Sequence, residues 1–169
     1  MKALGVVLFT VLTALAAQIS VPMVPVPMTL QSLAVVLAGA VLGAGRGSAA
    51  MILYLAAAAV GLPVLSDGRS GIEALTGPTA GYLLGFVLAA AAVGVAARRG
   101  WLARPIPGIA LLSAAHLLIL GLGVAWLARA IGWTDALAGG FTPFLPGAIL
   151  KSVAAWLVLA GLMRRSYWR

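Results

Sequence analysis

A single lysine stands at the head of a long apolar run. Lys151 follows FTPFLPGAIL and precedes SVAAWLVLAGLM. Pro146 and Gly147 mark a helix start just before it, which sets the ammonium about 6 Å down the axis at about 1.5 Å per residue. There it has two possible settings. The stem can snorkel so that the charge reaches lipid headgroups. Alternatively the charge faces an enclosed pocket beneath the aromatic, proline-bearing loop, where it is costly unless paired. No acid stands at 147, 148, 154 or 155, the positions three or four residues away. A partner must then be a loop acid, Glu73 or Asp67, or an anionic ligand, for which Arg69 is the alternative cation.

Uncharged polar groups stand at other apolar starts. Gln31 opens the second apolar run, two residues after Thr29. Its amide carries donors and an acceptor, which suits an amide-like or ureido-like ligand, or a helix-end cap. Thr79 and Tyr82 are three apart in TGPTAGYLLGF and share a helix face. Gly77, Gly81 and Gly85 form a smooth stripe that admits a neighbouring helix or the flat face of a ligand. His116 lies in the middle of LLSAAHLLILG. An ionisable group there is a candidate for function, and a neutral histidine bonded across helices fits the same position.

No catalytic set accompanies these residues. HExxH, GxSxG and GxxxxGK[ST] are all missing from the chain. One histidine and three acids assemble no nucleophile–base pair. With no cysteine either, neither a metal nor a cofactor is expected, and the reading is not an enzyme. Without a phosphate-binding loop, any uphill transport must be driven by a partner or an ion gradient.

The elements that position these groups belong to a bilayer. Of 169 residues, 63% are hydrophobic and 8% charged, with a mean hydropathy of +1.15. A soluble domain carries roughly a quarter charged residues, so lipid is the expected solvent. A net charge of +8 can suggest nucleic acid, but the basic residues sit in short clusters between apolar runs, which is a topology signal. Spans are predicted near 3–20, 30–44, 47–63, 77–97, 106–130 and 146–163, with GAGRGS turning a tight hairpin between the second and third. The first resembles a secretory signal peptide and is read as a retained span. The expected fold is therefore all-α, a polytopic six-helix transmembrane bundle forming one domain over 1–169.

With the N-terminus inside, Lys2, Arg46, Arg98, Arg99, Arg104, Arg164, Arg165 and Arg169 fall at inner ends, with no acid among them. Arg69, Arg129 and Lys151 fall outside, together with Asp67, Glu73 and Asp135. This positive-inside pattern requires an even span count and both termini in the cytoplasm. The outer connections are the richer ones. SVPMVPVPMTLQ, with prolines at 22, 25 and 27, reads as an extended strut and a lid. VLSDGRSGIEALTGPTAGY and WTDALAGGFTPFLPG form the other two, on the face where binding sites tend to sit. In the first span, Thr10 with Ala14 and Thr13 with Ala17 are small-xxx-small pairs. They serve packing within the bundle, or a docking face for another membrane subunit.

VPMVPVPMTLQSLAVVLAGAVLGAGRG, YLAAAAVGLPV, GPTAGYLLGF and PFLPGAILK, in this order and spacing, resemble the BioY family. That family comprises the substrate-binding S components of energy-coupling-factor (ECF) biotin transporters. The resemblance covers nearly the whole chain. It implies a six-helix bundle in the bacterial cell membrane, with both termini cytoplasmic and lipid around it. Biotin would bind near the outer face under the first, third and fifth loops. The implied partners are a transmembrane coupling protein (EcfT type) and two ABC-type ATPases, with Thr10, Thr13, Ala14 and Ala17 on the docking face.

Within PFLPGxxxK the family commonly has an aspartate where this chain has Ala148. Positions 148 and 151 share a helix face, so either another acceptor (Glu73, Asp67 or Gln31) takes over or the ligand differs. Thr29, Gln31, Thr79 and Tyr82 are the expected polar groups of a biotin pocket, with Lys151 or Arg69 facing the acid. An S component for another small vitamin is the alternative. A ligand-free assembly subunit is a third reading, and it predicts no saturable binding.

Overall fold

The computed structural model describes the backbone of residues 2–166 and the side chains of 3–162. The side chains of Lys2, Arg164, Arg165 and Arg169, half of the cations assigned to the inner ends, lie outside that range. Six long helices follow the six apolar runs. They are α1 (Lys2–Ala17), α2 (Gln31–Leu42), α3 (Ala44–Ala59), α5 (Ala80–Arg98), α6 (Pro105–Ile131) and α8 (Leu145–Ser166). Two short helices, α4 (Gly71–Thr76) and α7 (Trp133–Gly140), interrupt the connections. Ala80–Arg98, Pro105–Ile131 and the stretch Trp133–Leu162 are long and apolar enough to cross a membrane by length and composition. Ala3–Ala17, Gln31–Leu42 and Ala44–Ala59 are apolar but shorter.

The second span departs most from expectation. At 12 residues, α2 is about 18 Å long, well under the ~30 Å hydrocarbon thickness. The three-proline segment before it is no strut. Ser20–Val21 (β1) and Met28–Thr29 (β2) pair antiparallel, with Ser20 opposite Thr29. The ladder stops at Pro22 and resumes after Pro27, because a proline has no N–H to donate. The fourth span begins later than expected. Pro78 lies in a break between α4 and α5, and the Thr76 hydroxyl turns back to the Ile72 carbonyl at 2.9 Å. Arg104 is extended before Pro105, as pre-proline sterics require, so α6 starts at the proline.

Helices in lipid gain little from excluding water, so close backbone approach holds them together. α5 is the hub, packed on α2, α3 and α6. A side chain on Gly39 of α2 would strike the Ala90 backbone, and one on Gly85 would come within 2.9 Å of the Ile119 Cα. Gly81 faces the Leu122 carbonyl in the same way, so Gly81 and Gly85 form a helix seam and not a ligand platform, while Gly77 lies before α5 against the α4 backbone. The α2–α3 junction is one residue, Gly43, at φ +80°, a conformation that suits glycine. Gly94 of α5 presses against this junction with no room for a Cβ. α8 packs on α6 and α2, and α1 on α2 and α3. The outer side of α1 presents Leu4, Val7, Leu8, Val11, Leu12 and Leu15, a surface suited to lipid.

Candidate ligand-binding site

A cavity lies at the end of the bundle that carries the β1–β2 hairpin, opposite the α2–α3 junction, between the first turns of α2, α5 and α8 and the middle of α6. Leu83 and Phe86 of α5 and Ile119 and Leu120 of α6 supply an apolar wall. The three connections at this end close around it. Val26 and Pro27 come from the hairpin, Leu65, Ser66 and Arg69 from the α3–α4 connection, and Phe144 from the 3-10 turn before α8. The hairpin is thus folded back onto the bundle, with Val26 buried and Pro25 against Gly139 of α7.

Polar side chains converge from separate elements. Thr29 donates to the Gln31 Oε1 at 2.7 Å. Gln31 donates through Nε2 to the Tyr54 hydroxyl, which donates onward to the Val64 carbonyl at 3.0 Å. The Gln31 amide is therefore held at both ends, with one amide hydrogen left over. Tyr82 donates to the Gly140 carbonyl at 2.7 Å. Its ring lies flat on Gly123 and 6.4 Å from that of Phe144. Thr79 occupies the N-cap position of α5 without a side-chain cap bond, so its hydroxyl stays available to the cavity.

Two cations stand in this wall and no acid does. Lys151 donates one hydrogen to the Thr29 carbonyl at 3.1 Å, leaving two for a ligand. Arg69 is braced by Ser66, with Nε 3.2 Å from its carbonyl and Nη2 2.9 Å from its hydroxyl. Arg69 also borders a groove outside the hairpin, beside Pro22 and Pro25, which places it at the cavity mouth. Asp67 and Glu73 are exposed and lie off the cavity wall. Asp67 takes a left-handed conformation (φ 59°) two residues before Arg69. The structure does not bring the loop acids to Lys151, so neither replaces an acceptor at Ala148.

The expected docking residues of α1 fall elsewhere, and His116 joins the cavity. Thr10 donates to the Ala50 carbonyl of α3 at 2.9 Å. Thr13 and Ala17 are fully buried, and Ala14 packs against the core. The small face of α1 is turned into its own bundle. His116 is 2% exposed and lines the cavity, with Nδ1 2.9 Å from the Leu112 carbonyl and 3.0 Å from the Ser152 hydroxyl. Tyr54 was not singled out in the sequence, although it positions Gln31. Its only signal is one phenol inside the apolar run MILYLAAAA. Ser66, which holds Arg69, gave no signal.

Comparison with known proteins places these features in a group. A model of the BioY family matches residues 1–167. The biotin transporter BioY of Rhizobium etli is 38% identical over 161 residues, covering 86% of this chain and 82% of that protein. The biotin transporter BioY2 of Lactococcus lactis subsp. cremoris is 37% identical over 164 residues, covering 96% and 87%. That of Thermotoga maritima is 36% identical over 162 residues, covering 93% and 92%. Among solved structures, the S-component for biotin from an ECF-type ABC transporter, a crystal structure at 2.1 Å, superposes with a TM-score of 0.85. It covers 96% of this chain and 90% of that one at 23% identity, a likeness of fold.

Proposed function

The chain belongs to the BioY family, and from that premise we propose that it is the membrane S component of an ECF-type transporter whose cavity captures biotin. The observation that carries the reading is the pairing of Lys151 and Arg69 with apolar walls and no acid. Such a cavity has a net positive charge and accepts an anion that is otherwise apolar. Biotin combines an acid tail, an apolar bicycle and a ureido edge, and cavities with apolar walls and a few placed polar groups suit ligands of this kind.

The bicycle enters first, against Phe86 and Ile119, with Lys151 donating to the ureido oxygen. Arg69, at the mouth, faces the acid. The hairpin is the lid, because Val26 and Pro27 lie on the cavity and Thr29 is tied to Lys151. The cavity faces outward, with both termini cytoplasmic and the protein in the bacterial cell membrane. Release inside is driven by a docked transmembrane coupling protein with two ABC ATPases, since this chain carries no phosphate-binding loop of its own.

Isothermal titration of the detergent-purified protein with biotin, beside a biotin amide that lacks the acid, tests the reading. Submicromolar binding of biotin with weaker binding of the amide is expected. No saturation with biotin would reject it. Ala148, a wall position without a polar side-chain atom, favours one second reading, an S component for another small vitamin. Titration with a vitamin panel separates the two.

A further inference from the structure

The chain contains one histidine, and its surroundings fix where the ring proton sits. In a neutral imidazole one nitrogen donates and the other accepts. Nδ1 lies 2.9 Å from the Leu112 carbonyl, which can only accept, so Nδ1 carries the hydrogen. The second neighbour agrees. Ser152 Oγ lies 2.8 Å from the Ala148 carbonyl, another obligate acceptor, so the serine hydrogen points there. Its lone pair is left for Nδ1–H at 3.0 Å. A carbonyl of α6 and a serine of α8 therefore select the same tautomer.

Nε2 is then a bare acceptor. It is buried and has no hydrogen-bond partner among the described residues, and its residue is part of the cavity wall. An acceptor removed from water and left unpaired is costly, and a ligand N–H that reaches it recovers that cost. A second proton on the ring would instead bury a charged N–H with nothing to accept it.

We propose that His116 is a specificity-determining residue, whose unprotonated Nε2 accepts a hydrogen bond from a ring N–H of the bound ligand. The inference rests on the biotin reading, in which that donor is one of the two ureido N–H groups. Lys151 lies on the same wall with ammonium hydrogens to spare, so the pair offers an acceptor beside a donor. A urea or amide edge presents the complement. Ala148 of α8 brings no side-chain acceptor to this wall, and the acceptor comes from α6.

The single histidine makes a direct test possible. The unaltered full chain, purified on a tag without histidine and labelled with 15N-histidine, shows one imidazole in an NMR spectrum. The free protein should give a protonated Nδ1 and a bare Nε2. Saturating biotin should move the bare nitrogen upfield, the direction of an accepted hydrogen bond, and leave Nδ1 protonated. A protonated Nε2 in the free protein, or one that stays unmoved at saturation, overturns the proposal.

Calorimetry adds a second readout, with two analogues in which one or the other ureido N–H is replaced by oxygen. The native protein should prefer biotin over one of them by about tenfold, the worth of a single buried hydrogen bond. In His116→Leu that preference should shrink to less than about threefold, whatever happens to overall affinity. A preference that survives in the variant overturns the assignment, because a purely structural histidine would weaken both ligands alike. Biotin that never saturates the native protein defeats the biotin reading and this one together. Saturation with an unmoved Nε2 defeats this one alone.

Discussion

The cations that line the cavity are held in the opposite way to those at the other end of the bundle. Around the α2–α3 junction, Arg46, Arg98, Arg99 and Arg104 are exposed, and Arg99 rests over the Trp101 ring at 5.2 Å. At the β1–β2 end, Arg129 is exposed over the Trp126 ring at 4.4 Å, but Lys151 and Arg69 are half-buried, and each is fixed by named oxygens. In the proposed orientation only the number and sign of the charges matter at the first end, because that is what membrane insertion reads. At the second end position matters, because a partly desolvated cation is worth far more to an anion than one in water. In the proposed reading one chain uses the same chemistry as an address at one end and as a recognition element at the other.

The largest effect should come from breaking the scaffold of the basic end. Gly94→Val forces a side chain into the Gly43–Ala44 backbone. It should cost about 3 kcal/mol of stability or prevent folding, by the penalty for overpacking a tight seam, as read from thermal unfolding in detergent. A normal melting point would mean that the seam is looser than it looks. Next, Lys151→Ala should weaken biotin binding by more than about tenfold in calorimetry, the scale of a charge-assisted hydrogen bond. Unchanged affinity would remove the lysine from the site.

Arg69→Ala sharpens the comparison within the hairpin end. It should lower biotin affinity by about tenfold and abolish the preference for biotin over its amide. If that preference vanishes in Lys151→Ala instead, the two cations exchange roles. Arg46→Gln is the control at the far end, and biotin affinity should stay within about twofold, as for surface changes away from special contacts. A larger loss would contradict the division between the two ends.

Much of this was legible in the sequence, for reasons that also mark its limits. Apolar runs located all six long helices, because a bilayer imposes length and hydropathy on each segment separately. Polar atoms at the starts of those runs pointed to Thr29, Gln31, Thr79, Tyr82 and Lys151, which meet at one cavity. What failed to show was orientation. α1 is apolar on every side, so small-residue spacing could not say whether Thr10 and Thr13 face a foreign helix or their own bundle. Asp67, Arg69 and Glu73 are neighbours in sequence, yet only Arg69 reaches the wall, where Ser66 braces it. Tyr54 meets Gln31 across 23 positions, a distance that no local pattern spans. For His116 the sequence favoured a histidine bonded across helices over a functional one, and the tautomer depends on Leu112 and on Ser152 of another helix.

The string from Thr29 through Gln31 and Tyr54 to Val64 has one further consequence. Every donor along it points the same way, so each bond polarises the next and reversing one link would mean reversing all. The hairpin, α2, α3 and the segment leading to α4 are joined by a line of dipoles with a single sense. The Gln31 amide cannot turn over to suit a visitor. Its free hydrogen is committed before any ligand arrives, so little ordering remains to be done on capture, and a molecule offering a donor at that spot is refused without any part of the protein having to move.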